Sequence, residues 1–157
     1  MKRNNWKTYA FWLLLTEAVG GAAALLTRRG MEAYKDLAHK PPLTPPAVVF
    51  PIAWSILYAL MGVGAARIDL QDHSDQRRAL TLYWVQLAAN FLWSILFFGA
   101  QAYGAAFFWL LLLWGLILAM ILAFRPIERT AALLQIPYLL WVAFAGYLNG
   151  GVWLLNR

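Results

Sequence analysis

The sequence has no cysteine, and charged side chains make up only 13% of its 157 residues. Without cysteine the chain has no disulfide framework, no thiolate nucleophile and no cysteine-ligated metal site. A soluble domain of this length carries about 25% charged residues, because its surface must be hydrated. The shortage of charge, together with 62% hydrophobic residues, therefore predicts a protein that folds within a membrane.

Histidines and acidic residues are also few, and almost all of them lie in polar connections. Neither His39 nor His73 belongs to an HExxH pattern, and no nucleophile elbow is present. These absences exclude ordinary hydrolytic chemistry and predict no metal site. The net charge of +6 does not predict nucleic-acid binding, because lysine and arginine lie between apolar runs, where they contact lipid headgroups.

Five apolar runs are long enough to cross a bilayer, which takes about 20 helical residues. They cover residues 8–27, 47–66, 79–98, 105–124 and 130–155 approximately. We therefore expect an all-α, polytopic membrane protein in which residues 1–157 form a single five-helix bundle. Eight of the 13 Lys and Arg residues fall on the side of the N-terminus, so the positive-inside rule favours a cytoplasmic N-terminus.

The first connection, residues 28–46, is the one substantial polar segment, and it contains four prolines. Proline lacks a backbone donor and disfavours helix in the residue before it. We expect an extended connection with a short helix over residues 31–38. This segment is long enough to fold over one end of the bundle as a lid.

The third run carries a polar stripe, because Gln86, Asn90 and Ser94 are spaced four residues apart. An amide without a hydrogen-bond partner costs several kcal/mol in hydrocarbon, so these side chains must face a helix, a ligand or water. Asn90 lies near the middle of its span. We expect it to contact a ligand, the alternative being a bond to a neighbouring helix.

Aromatic and small residues alternate along one face of the second run and one face of the fifth. Such faces suit a flat ligand, since Trp and Tyr offer rigid surfaces and alanine leaves room beside them. The alternative is that the aromatic side chains only pack helix on helix. The residues of the two faces are Pro51, Trp54, Tyr58, Met61 and Ala65, and Tyr138, Trp141, Ala145 and Asn149.

Glu17 is the only ionisable residue deep in a span. Such a residue is either functional or a protonated group bonded to a neighbouring helix, and the sequence leaves both open. Small residues four apart, Gly146 with Gly150 and the series at Thr16, Gly20 and Ala24, predict close helix contacts within or between protomers.

Three segments together resemble the translocator protein family, known in bacteria as tryptophan-rich sensory proteins. They are KPPLTPPAVVFPIAWSILYALMG, QLAANFLWSILFFGA and IPYLLWVAFAGYLN, and the resemblance extends through all five runs. It implies a bundle, usually dimeric, with an interior pocket that opens toward the first connection and binds porphyrins. By position, the implied ligand-binding residues are Tyr34, Pro45, Trp54, Tyr58, Gln86, Asn90, Trp93, Ser94, Phe97, Trp141 and Ala145.

The chain departs from the family pattern in two places. Leu43 stands where the family's KPSWTPP motif has tryptophan, which removes one aromatic contact. Tyr147 is followed by no basic residue before Arg157, so the sterol motif of animal members is absent and cholesterol is not predicted as a partner.

The resemblance leads to one principal expectation of function and two alternatives. We expect a homodimeric receptor or sensor in the bacterial cell membrane that holds a porphyrin between Trp54 and Trp141, with no covalently bound cofactor. In the first alternative the protein degrades porphyrin oxidatively in light, with Trp54 and Trp141 as catalytic redox partners. The second, a porphyrin transporter, has less support, because five spans without an inverted repeat lack the usual transporter architecture.

Overall fold

A computed structural model of the protein describes residues 5–37 and 39–157. Five helical segments of this part are long and apolar enough to cross a membrane, and no strand occurs in it. The predicted all-α, five-helix membrane fold is confirmed. The helices are α1 (Asn5–Leu26), α2 (Arg28–Lys35), α3 (Val49–Asp69), α4 (Gln76–Ser94), α5 (Tyr103–Phe124), α6 (Arg129–Leu133) and α7 (Ile136–Leu155), with a π-helical segment (Ile95–Gly99) continuing α4.

The short helix in the first connection differs from the prediction of residues 31–38. It begins at Arg28, directly after Thr27, and ends at Lys35, while residue 38 lies outside the described residues. Gly30 lies within α2, where the absence of a side chain allows a close contact with Phe98 that is described below. The prolines of the connection all follow Lys35, and residues 39–48, which include them, are non-helical.

The fifth span is also not the single helix predicted over residues 130–155. It consists of α6 and α7, which are separated at Leu134 and Gln135. Pro137 lies in the first turn of α7, where its missing N–H costs nothing. Proline disfavours helical backbone in the residue before it and removes a helical donor, and this accounts for the break near this position.

The long helices form a ring around the bundle interior. In this ring α1 packs along α3 and also contacts α4, α4 packs on α5, and α5 packs on α7. Gly146 and Gly150 of α7 face Leu110 and Phe107 of α5, so this pair of glycines serves a contact within the chain. The homodimer implied by the resemblance stays a prediction.

The end of the bundle near the N-terminus is held by an ion pair. The Arg67 guanidinium donates from Nε to Glu128 Oε2 at 2.6 Å and from Nη2 to Oε1 at 3.3 Å. The same carboxylate caps α6 by accepting bonds from the backbone N–H groups of Thr130 and Ala131. The Arg67 hydrogen bond and these backbone donors lower the pKa of Glu128 below its ordinary value.

Candidate functional site

A cavity of about 290 Å³ lies between α1, α3, α4 with its π segment, and α7, at the end of the bundle opposite the N-terminus. Helix α2 lies across its mouth. Most of its surface is aromatic or aliphatic, which is typical of small-molecule sites. Eight of the eleven residues predicted as ligand-binding line it, namely Tyr34, Trp54, Tyr58, Trp93, Ser94, Phe97, Trp141 and Ala145.

The other three predicted residues do not line the cavity. Pro45 is half-buried in the connection outside it. Gln86 and Asn90 are buried beneath the cavity, on the same face of α4 as Ser94 but deeper in the membrane span. A direct role of these three residues in ligand binding stays a prediction.

The two amides belong to a hydrogen-bond network that forms the floor of the cavity. The Tyr58 hydroxyl donates to Asn90 Oδ1 at 3.1 Å, and Asn90 Nδ2 donates to the Tyr138 hydroxyl at 2.6 Å. Tyr138 then donates to Gln86 Oε1 at 2.8 Å, and Gln86 Nε2 lies 3.9 Å from the Met61 sulfur. The network joins α3, α4 and α7, so Gln86 and Asn90 have partners in neighbouring helices even when no ligand is bound.

The walls of the cavity are a continuous cluster of aromatic rings with Trp54 at its centre. The Trp54 ring stacks on Tyr58 at a centroid distance of 5.5 Å and lies 6.3 Å from Trp93. It meets Trp141 edge to face, with a centroid distance of 6.4 Å and an interplanar angle of 89°. The expectation that a porphyrin lies between Trp54 and Trp141 stays a prediction, and it requires these two perpendicular rings to move apart. A flat ligand can instead lie against one of the two faces.

Several residues that line the cavity have a polar group without a hydrogen-bond partner in the part of the chain that the structure describes. The Trp141 indole N–H is buried without an acceptor, and the Ser94 hydroxyl forms no hydrogen bond. Asn149, by contrast, is fully engaged, since it accepts from Trp93 Nε1 and donates to the Tyr103 carbonyl. A buried donor without a partner costs about 1–3 kcal/mol, so a ligand acceptor at Trp141 recovers that energy.

Helix α2 can lie over the mouth because Gly30 has no side chain. A Cβ atom at Gly30 would be 1.6 Å from the carbonyl oxygen of Phe98 in the π segment. This close approach brings the Tyr34 ring within 5.6 Å of Phe97 and 5.8 Å of Phe98, measured between centroids. Burial raises the pKa of the Tyr34 phenol, with a smaller contribution from Tyr103.

The rest of the first connection is fastened to α7. The Tyr147 hydroxyl donates to the Pro42 carbonyl at 2.6 Å, and Asn156 Nδ2 donates to the His39 carbonyl at 2.7 Å. Pro41 lies directly over Gly151. Leu43 is 82% exposed with a φ of 70°, so the residue that replaces the family's tryptophan lies outside the cavity.

Sequence reasoning missed several residues of the wall. Phe50 and Phe98 complete the aromatic cluster, and Arg28 and Lys35 lie at the mouth. One face of α2 lines the mouth, and helical spacing predicts its members once the start of the helix is known. These residues are Arg28, Met31, Glu32 and Lys35. Glu17 does not line the cavity, and its role stays open.

Chemically, the site can bind a flat, mostly apolar molecule. The residues that line it supply aromatic faces together with unpaired indole N–H and hydroxyl groups, and none of the described lining residues is histidine. Within residues 5–37 and 39–157, no group of three His, Asp or Glu side chains could hold a metal ion. The fold and the site together define a five-helix membrane protein with an aromatic pocket inside the bundle.

Comparison with known proteins identifies the family. Residues 12–154 match the TspO/MBR family, and the chain belongs to it. Protein CrtK of Rhodobacter capsulatus is 38% identical over 88% of this chain and 87% of its own length. The tryptophan-rich protein TspO of Chlorobaculum tepidum is 36% identical over 95% and 96%, and the translocator protein of Bos taurus is 37% identical over 97% and 92%. The predicted family membership is thus confirmed.

Proposed function

We propose that this protein is a membrane receptor or sensor for tetrapyrroles of the porphyrin type. The observation that carries the proposal is the aromatic cavity, one of whose lining residues, Trp141, has a buried indole N–H without a protein acceptor. A porphyrin offers a broad π face to the rings and acceptor atoms to the donor. Family membership, and the names of sensory and translocator proteins among the relatives, support a receptor role.

The size of the cavity adds a kinetic expectation. A volume of about 290 Å³ is at the lower end of the roughly 300–1,000 Å³ of small-molecule sites. A macrocycle therefore enters only when α2 and the connection after it move outward. Binding is expected to be slower than diffusion, since the conformational change precedes it.

The test is an absorbance titration of purified protein with protoporphyrin IX in the dark. A saturable shift of the Soret band is expected for the wild type. Trp141→Phe removes the indole donor and is expected to weaken binding about two- to tenfold, corresponding to 0.5–1.5 kcal/mol. Trp114→Phe is the matched control, because Trp114 lies on α5 outside the cavity and is partly exposed. A shift that never saturates, or an equal loss in both variants, contradicts the proposal.

A second candidate function is light-dependent oxidative degradation of the bound porphyrin. It is favoured by the position of Trp54, whose ring contacts Tyr58, Trp93, Tyr138 and Trp141. Such a cluster could pass an electron between a ligand and the protein, with dioxygen as the oxidant. Illumination separates the two functions: a receptor retains the shifted Soret band, whereas an enzyme loses it with formation of a product, and Trp54→Phe abolishes that loss.

A further inference from the structure

The charged residues of the cavity are confined to its mouth. Among the described residues, the Lys, Arg, Asp or Glu residues on its wall are Arg28, Glu32 and Lys35, and all three belong to α2 and are exposed. Deeper in, the polar groups are all neutral, namely the hydroxyls of Ser94 and Tyr58, the Asn149 amide and the indole N–H groups of Trp54, Trp93 and Trp141. The site is therefore an apolar interior beneath a rim on which two cations and one anion lie.

The two cations are placed to act together. Arg28 is the first residue of α2 and Lys35 is the last. Seven residues are almost two full helical turns, so both side chains project from one face, about 10.5 Å apart along the helix axis. The contact of Gly30 with Phe98 fixes this face over the mouth.

Both cations are free to bind a ligand. In the described part of the chain the side chains of Arg28 and Lys35 form no hydrogen bond and no ion pair, although Glu32 lies between them on the same face. Lys40 adds a third positive charge beside the rim, with its ammonium 5.1 Å from the centre of the Tyr34 ring. The rim thus has an excess of positive charge and unused donors.

The interior, by contrast, has no cation to pair with a carboxylate among the described residues that line it, and its unpaired donors, such as the Ser94 hydroxyl, are neutral. Asn90 and Gln86 are committed to the floor network, and Asn149 is bonded on both its oxygen and its nitrogen. An ionised carboxylate left unpaired in an apolar site is very costly. The carboxylates of an acidic ligand must therefore remain at the mouth.

We infer that the site selects flat ligands with carboxylates on one edge, and that Arg28 and Lys35 bind those carboxylates while the opposite, apolar edge points toward Trp54 and Tyr58. This inference rests on the proposed tetrapyrrole-binding function and deepens it. It differs from the expectation that the ligand contacts Asn90 and Gln86, which stays a separate prediction. Arg28 and Lys35 are specificity-determining residues in this arrangement.

The experiment compares protoporphyrin IX with its dimethyl ester, which keeps the macrocycle and removes both charges. Each is titrated into wild-type protein and into the double variant Arg28→Gln, Lys35→Gln, in nanodiscs of neutral lipid. For the double variant the affinity for the diacid is expected to fall tenfold or more, and the affinity for the ester is expected to change less than twofold. Raising the salt concentration is expected to weaken binding of the diacid by the wild type and not that of the ester, because exposed charges are screened.

Arg29→Gln is the matched control, since Arg29 is also exposed on α2 and loses the same charge without touching the cavity. Unchanged melting temperatures establish that the variants are folded. Equal losses for diacid and ester, or an equal effect of Arg29→Gln, overturn the inference while leaving the receptor function intact. Absence of saturable binding for both compounds overturns the receptor function and this inference together.

Discussion

At the residue scale, Asn90 links three helices at the centre of the membrane span. Its amide accepts from Tyr58 and donates to Tyr138 without any ligand, and its side chain is 1% exposed. Polar groups that are paired in this way at membrane depth hold helices together, because an amide that loses its partner there finds no water molecule to replace the hydrogen bond. The alternative that the sequence left open, a bond to neighbouring helices, is present in the structure.

We predict that Asn90→Leu destabilises the empty protein. The substitution removes two hydrogen bonds and leaves the Tyr58 hydroxyl buried without its acceptor, at a cost of about 1–3 kcal/mol. The melting temperature of the empty protein in detergent measures this loss. Ser94→Ala is the control, because its hydroxyl has no partner in the described residues and its removal leaves the network intact. An empty Asn90→Leu protein as stable as the wild type would contradict the network's structural role.

The residue scale also shows what the sequence can predict. Spacing four residues apart was enough to place Gln86, Asn90 and Ser94 on one buried face, because helical periodicity is a local property. Whether an amide meets a tyrosine or a ligand depends on the offset between helices, which only the packed bundle determines. Tyr138 was predicted to lie on an aromatic face. Its hydroxyl instead bonds Asn90 and Gln86 in the network beneath the cavity, and the sequence of its own span did not indicate these bonds.

At the element scale, the position of α2 depends on a single missing side chain. We predict that Gly30→Ala weakens porphyrin binding at least tenfold and lowers stability, because the new Cβ collides with the Phe98 backbone carbonyl and forces α2 off the mouth. Backbone atoms cannot move aside as a flexible side chain can. A Soret titration and a thermal melt measure the two effects.

Gly21→Ala is the matched control for this prediction. A Cβ at Gly21 meets no atom within 4 Å, and alanine is favoured over glycine within a helix by up to about 1 kcal/mol. The control is therefore expected to be neutral or slightly stabilising. Wild-type affinity in Gly30→Ala would show that α2 need not touch the π segment.

The Arg67–Glu128 ion pair, at the end of the bundle away from the cavity, makes the free energy of unfolding depend on pH. Because the pKa of Glu128 is lowered in the folded state, its stabilisation is complete above the ordinary glutamate value of about 4.3. It is lost as the pH falls through the lowered value. We predict that Glu128→Ala lowers stability by about 0.5–2 kcal/mol at pH 7, since a helix cap is removed.

Melting curves of both proteins at a series of pH values check this prediction. The gap between wild type and Glu128→Ala is expected to narrow in acid, because the wild type then also lacks the charged cap. A gap that remains constant from neutral to acidic pH would assign the effect to packing alone.

The elements themselves were predictable to different degrees. The length of each apolar run follows from the thickness of the bilayer, so five spans could be counted from composition. The sequence did not predict the break between α6 and α7, and it did not predict the π segment. The position of each depends on how the local backbone preference is balanced against packing with other helices. The start of α2 at Arg28, on which the mouth depends, was missed for the same reason: it is set by contact with Phe98.

At the scale of the whole molecule, the first connection is fastened to α7 by the Tyr147 and Asn156 hydrogen bonds. We predict that Tyr147→Phe speeds porphyrin dissociation about two- to tenfold, because it removes the hydrogen bond to the Pro42 carbonyl that holds the connection down. Stopped-flow dissociation into excess apoprotein or detergent measures the rate. Tyr9→Phe, at the other end of the bundle, is the control, and equal rates in the wild type and Tyr147→Phe would remove this bond from the gating step.

The position of the cavity mouth has a consequence for the proposed receptor function. Helix α1 crosses the membrane span once between Asn5 and α2, so the mouth beneath α2 lies on the membrane face opposite the start of α1, with the Tyr58–Asn90–Tyr138 network beneath the cavity. Under the proposed function, a ligand that enters through this mouth comes from the compartment on that face, and the protein is expected to report on that compartment. Inverting the insertion of the chain, for example by moving positive charges between connections, would therefore leave every contact unchanged and yet make the same protein report on the other side of the membrane.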